Sequence, residues 1–150
     1  MNRENISQDY VEEYFTIDSM SQRSNINVFK YSHDKDMNSL INYFFDYEYA
    51  LNNNNIDVLN RFFFFHEISV RFGVNESLYG HDSISLFRKS RDPNNAQRIL
   101  LRNRFIVYDD SVGIVNTEFI RHKRNGRQTQ VWIRVDNSWK ILSAHISFIE

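Results

Sequence analysis

VRFGVNESLYGHDSISLFRKSR, running from Val70 to Arg91, is the stretch on which the reading of this chain turns. It opens as a strand, with Ile68, Val70 and Phe72 alternating against Ser69 and Arg71. Gly73 ends the alternation, and the link that follows holds two breakers, Asn75 and Gly80, and an acid, Glu76. Asp82 or Ser83 is then placed to cap a helix. Within that helix Ile84, Phe87, Arg88 and Arg91 recur at i, i+3, i+4 and i+7, so two guanidinium groups share a face with apolar residues. Burying an unpaired cation is costly, so arginines on a core-facing stripe point to an anion pocket or a buried carboxylate partner. The alternative is that their stems lie on the core edge while their heads reach water.

Working outward, the helix ahead of this unit carries the clearest periodicity. From Asp36 to Asn53, Met37, Leu40, Ile41, Phe44, Tyr47, Glu48 and Leu51 repeat at the three-and-four spacing of a helix packed on a core. Tyr47 and Glu48 fall on that stripe. A buried phenol needs a hydrogen-bond partner and a buried carboxylate needs more, so both either line a cavity or, for Glu48, pair with a structural arginine. A short second helix is expected from Ile56 to about Phe63. Beyond Pro93, four strands rich in β-branched and aromatic residues are expected near Gln97–Tyr108, Gly113–His122, Arg127–Val135 and Trp139–Phe148. Asp109-Asp110, Arg124-Asn125-Gly126 and Asp136-Asn137 read as their turns. The order implies an α+β cone, a twisted antiparallel sheet wrapped around the long first helix. Residues 1–36 read as an N-terminal extension whose Tyr10, Val11, Tyr14, Phe15 and Ile17 suit a short amphipathic helix, and residues 37–150 as the domain.

Composition narrows the function. The chain has 150 residues, one ordinary domain. Eighteen Lys and Arg against nineteen Asp and Glu give a net charge of −1, without the basic field that nucleic-acid binding needs. Cysteine is absent, which removes disulfides, thiolate metal sites and cysteine nucleophiles together. No apolar run is long enough for a membrane span and the N-terminus lacks a signal-peptide core, so a cytoplasmic protein is expected. Thirteen Phe and eight Tyr beside four Gly promise a bulky aromatic core. The five histidines, His33, His66, His81, His122 and His145, show no metal-ligand spacing, so neither metal nor other cofactor is expected. His81 opens the arginine helix, where it can orient Arg71 or Glu76 or simply cap. Gln128, Gln130, Trp132 and Arg134 share one strand face. Facing inward, Gln130 would offer an amide to a ligand carbonyl; facing outward, the set would form a dimer interface.

FFDYEYAL (Phe44–Leu51), the Val70–Arg91 stretch, GRQTQVWIR (Gly126–Arg134) and SWKILSAHIS (Ser138–Ser147) together resemble the AtzH-like family, which includes the oxalurate-catabolism protein HpxZ. The family belongs to the NTF2-like, SnoaL-like group, and the similarity runs from about Met37 to Glu150. The resemblance implies an NTF2-like cone, a homodimer formed through the sheet, and hydrolysis of 1,3-dicarboxyurea to allophanate, the activity of the family's namesake. Other members sit beside amidases in ureide catabolism, which makes an amidase a candidate partner. The family's catalytic pair, a Tyr of the first helix and an Arg of the first strand, maps onto Tyr47 and Arg71.

A small carboxylated urea needs planar, bidentate cations, and Arg71, Arg88 and Arg91 offer them within one strand-to-helix unit, with His81, Glu76 and Gln130 as further binding candidates. Tyr47 would carry a proton to the leaving nitrogen once a neighbouring guanidinium lowers its pKa. No nucleophile is required, in keeping with the absence of cysteine and of a G-x-S-x-G elbow. Three readings follow: a cofactor-free hydrolase or decarboxylase, a ligand-binding module serving a partner amidase, or a dimeric scaffold. Arginines locked to Glu48, Glu76 or Glu118 would favour the scaffold.

Overall fold

Helix α1 (Met37–Asn52) buries every member of its predicted stripe, from Met37 to Leu51. The computed structural model describes residues 9–17, 22–30, 37–95 and 97–150. The remaining elements follow the expected order: α2 (Ile56–Phe62), β3 (Val70–Phe72), β4 (Ser77–Tyr79), α3 (His81–Ser90), then β5 (Ile99–Tyr108), β6 (Val112–Arg121), β7 (Arg124–Val135) and β8 (Ser138–Phe148). Strands β5 to β8 form the antiparallel meander, and β3 joins its far edge by pairing in parallel with β8.

Ahead of α1, Asp9–Ile17 (β1) and Gln22–Lys30 (β2) are strands, β2 pairing in parallel with β5, so the sheet runs β1-β2-β5-β6-β7-β8-β3-β4. The helix expected over Tyr10 to Ile17 is therefore a strand. Its Tyr, Val, Phe, Thr and Ile content favours extended backbone once a neighbouring strand takes up the hydrogen bonds. Residues 1–8, 18–21 and 31–36, including the expected helix start at Asp36, lie outside the described residues.

The concave face of the sheet holds α1. The Phe44 ring meets Phe105 of β5 edge-on at 5.3 Å, and Tyr47 meets Trp132 of β7 at 6.4 Å. Each such fully buried large side chain contributes about 1.5–3 kcal/mol through the water it leaves. Gln128, Gln130 and Trp132 are buried beneath the helix, so this face of β7, expected to point outward as an aromatic dimer interface, lines the interior instead. Thr129, Val131 and Ile133 occupy the outer face instead.

One turn assignment also shifts. Asn125-Gly126 lies within β7, and the β6–β7 turn is made by His122 and Lys123, both in the left-handed region at φ 49° and 66°. Gly126 is needed for packing: a Cβ there would stand 2.3 Å from the Phe119 ring. Asp136-Asn137 forms the β7–β8 turn as expected, at φ 49° and 63°. Helix α3 starts at His81 with Gly80 as its N-cap, ahead of the Asp82 or Ser83 cap inferred from sequence. Residues 77–79, read as part of a link, pair with β3 as a short edge strand.

Candidate functional site: an arginine-lined pocket

Strand β3 is short, but its register decides where Arg71 points. Pairing Arg71 with Ala144 on one side and Leu78 on the other sets Val70 and Phe72 on the outer face. There Phe72 meets Tyr79 and His145 edge-on. Arg71 turns inward and is 4% exposed. Its Nη1 donates to Glu76 Oε1 at 2.8 Å, and its guanidinium lies 5.1 Å from the centre of the Phe87 ring. Gly73 makes that ion pair possible, because the Glu76 carboxylate occupies the space where a Cβ would stand, 1.6 Å away.

Helix α3 delivers the other two cations. Arg88 is 1% exposed, its Nη2 donates to the Tyr47 hydroxyl at 3.1 Å, and its guanidinium lies 5.2 Å from the Phe63 ring. Its Nε and Nη1 are buried and have no hydrogen-bond acceptor. Arg91 also lies over the Phe87 ring, 5.7 Å from its centre, and its Nε and Nη2 also lack acceptors. Neither has a carboxylate partner among the described residues, where the ion pairs are Arg71–Glu76, Arg98–Glu48 and Arg102–Glu118.

Crowded cations alter one another. Burial, then the charges of Arg88 and Arg71, lowers the pKa of Arg91 to about 10. Arg71 is pushed down by the same causes, burial first and Arg88 second, with Tyr47 and Glu76 opposing. Tyr47 is 3% exposed, and burial by itself would raise its pKa. The guanidiniums of Arg88, Arg71 and Arg98 outweigh burial and hold the phenol below its usual value of 10. A folded-state pKa below the unfolded value means the phenolate is favoured, so this group adds stability as pH rises through its lowered pKa toward 10 and withdraws it as pH falls. Ultraviolet titration of the folded protein should therefore show one tyrosine ionising below the ordinary range of a phenol. Arg88→Leu should move that step to higher pH; an unmoved step would mean that Arg88 does not govern the phenol.

A pocket of about 440 Å³ opens beside this cluster. It is lined by Arg71, Glu76, Phe87 and Arg91, by Arg121 and Arg124 of the β6–β7 hairpin, and by Ile146 and Phe148 of β8. Of the residues singled out in the sequence, Arg71, Glu76 and Arg91 thus line a single cavity. Tyr47 and Arg88 are not on its lining, though both lie within the electrostatic reach of Arg71. Gln130 is fully buried under α1, where its Oε1 accepts from Trp132 Nε1 at 3.0 Å, and it does not reach the pocket wall. His81 lies elsewhere: its ring bonds the Asn60 carbonyl through Nε2 at 2.7 Å and helps line a separate cavity with Phe64 and Phe65. Glu48 is held by Arg98, with Arg98 Nε donating to Glu48 Oε2 at 3.1 Å and Nη2 to Oε1. Sequence reading missed Arg98, Arg121 and Arg124. Arg121 carried a signal, since it continues the inward alternation of Val115, Thr117 and Phe119 along β6.

Among the described residues no three His, Cys, Asp or Glu side chains gather where they could hold a metal ion. No described helix is long and apolar enough to cross a membrane. The cluster's chemistry is that of a cationic, partly apolar pocket backed by an acidified phenol.

A family model described as AtzH-like matches residues 32–150. The chain belongs to the AtzH-like family. Its solved relatives agree with that placement. A protein of unknown function from the DUF3225 family of Pectobacterium atrosepticum is 32% identical, with TM-score 0.74 over 78% of this chain and 94% of that one. A cystatin-like fold protein from Burkholderia xenovorans is 30% identical, with TM-score 0.73 and the same coverage. An NTF2-like superfamily protein from Salmonella enterica serovar Typhimurium, at 15% identity and TM-score 0.64 over 76% of this chain and 91% of that one, shares the fold. This AtzH-like chain is accordingly an α+β cone of the NTF2-like type. None of the curated proteins matches it.

Proposed function

We propose that this AtzH-like protein is a cofactor-free hydrolase or decarboxylase acting on an N-carboxylated urea such as 1,3-dicarboxyurea, which it converts to allophanate. The observation that carries this reading is the pair Arg88 and Arg91, buried N–H donors without acceptors beside Arg71. A cluster of like charges with unfilled donors is costly unless an anion completes it, and a carboxylate fits the planar fork of Arg with two parallel bonds. With one N-carboxylate held there, cleavage of the N–C bond leaves its electron pair on nitrogen and releases carbon dioxide. The nitrogen then takes a proton, for which the Tyr47 phenol is the nearest candidate donor, and Arg88 stabilises the phenolate that results.

One observation supports a second reading. Tyr47 is buried and not on the pocket lining, so the pocket as it stands is suited to binding carboxylates without reacting, as a module serving a partner amidase would. Incubation with dicarboxyurea separates the two. The enzymatic reading expects carbon dioxide and allophanate to appear faster than in buffer alone. Tight binding by calorimetry with no release above background would overturn it in favour of the binding module.

A further inference from the structure

The pocket has a second cationic end that the proposed chemistry leaves unused. Arg121 closes β6 and Arg124 opens β7, paired across the His122–Lys123 turn, so one hairpin tip brings both to the pocket that Arg71 lines. Arg124 has no carboxylate partner among the described residues, and its guanidinium lies 4.3 Å from the centre of the Phe148 ring. That contact holds a long side chain in place at the rim without using up its hydrogen-bond donors. Between the two cationic ends the surface is apolar, made by Phe87, Ile146 and Phe148.

The register gives the spacing. Arg71 stands opposite Ala144 and Gly126 opposite Phe148, so Arg124 is rooted six positions further along the sheet than Arg71, about 20 Å at the usual strand rise. A ligand that reaches from one of these arginines to the other is therefore elongated. The volume agrees: about 440 Å³ falls among the ~300–1,000 Å³ cavities that enclose drug-sized ligands, more than a small dicarboxylated urea occupies. The two acids on the wall do not cancel the field. Glu76 is paired with Arg71, and the four arginines of the lining, Arg71, Arg91, Arg121 and Arg124, outnumber Glu76 and Asp92.

We infer that the pocket takes an elongated dianion, with one carboxylate at Arg71 and Arg91, an apolar or planar body along Phe87, Ile146 and Phe148, and a second acidic group at Arg124. This deepens the carboxylate-pocket reading and rests on it. The test is calorimetric titration of the full chain with malonate, glutarate, adipate and suberate, each against the monocarboxylate of the same chain length. Affinity is expected to rise from malonate toward the longer diacids, which should bind about tenfold tighter than the matched monoacids. Arg124→Gln, at an exposed position, should remove most of that advantage, with the monoacid affinities showing that its pocket is still formed. Diacids that bind no better than monoacids, or an advantage that survives Arg124→Gln, would overturn the outer arm and leave the inner site standing. If no carboxylate binds the parent protein at all, the inner site falls with it.

Discussion

Glu48→Ala is expected to cost about 3–5 kcal/mol of folding stability, a large part of the margin by which a single domain stays folded. The reason is what it leaves behind. Arg98 and Glu48 are 0% and 1% exposed, and Arg98 engages both carboxylate oxygens through Nε and Nη2 while its Nη1 donates to Gln128 Oε1 at 3.1 Å. Burial lowers the Arg98 pKa, but the Glu48 charge and its hydrogen bond more than restore it, so the guanidinium is held in its charged form. Removing the carboxylate strands that charge in the core. Arg98→Met should cost a similar amount by stranding the carboxylate. Glu48→Leu combined with Arg98→Met should lie closer to the parent than either, because both desolvation costs vanish together. Urea unfolding midpoints report all three. Single variants within about 1 kcal/mol of the parent would show that the pair is not what ties α1 to the start of β5.

The second large effect is expected on turnover. Arg71→Lys should keep the fold, since an ammonium can still reach Glu76, yet lose most turnover and most dicarboxylate binding, because a point charge cannot reproduce two parallel hydrogen bonds. Tyr47→Phe should lower kcat about 10²- to 10⁴-fold while leaving carboxylate binding largely intact, since it removes the proton carrier and spares the clamp. Some stability should go with it, because Arg88 Nη2 loses its acceptor. Steady-state kinetics with parallel calorimetry separates the two variants. If both turn over and bind like the parent, the arginine–tyrosine cluster is not the site.

Much of this architecture is legible without coordinates, for physical reasons that differ from element to element. Helix α1 can be read because a stripe at helical spacing has only one way to be buried. Strands β5 to β8 can be read from their β-branched and aromatic runs. The β6–β7 turn cannot, because Asn125-Gly126 carries the usual turn residues while His122 and Lys123 adopt the left-handed backbone, and Gly126 answers to the Phe119 ring. The facing of β7 is inverted by a similar conflict. Its polar set, Gln128 and Gln130, enters the core, since the interior of this cone must satisfy Arg98 and the Trp132 N–H. At the site, helical spacing alone shows that Arg88 and Arg91 share an apolar face. That Glu48 needs a cation is also evident, but its partner lies fifty positions away and only the folded sheet identifies it.

The parallel pairing of β3 with β8 has a kinetic consequence. No local turn can bring Arg71 beside Ala144; the contact waits until the whole meander has formed and β8 has found its edge. Contacts between distant parts of a chain form slowly, because loop closure must come first. During synthesis, then, α1 and the α3 arginines emerge early and remain without a binding site until β8 has been made. Ligands that gather these arginines are expected to act mainly by delaying the escape of β3 from the finished sheet, so their protection is felt in the rate of unfolding.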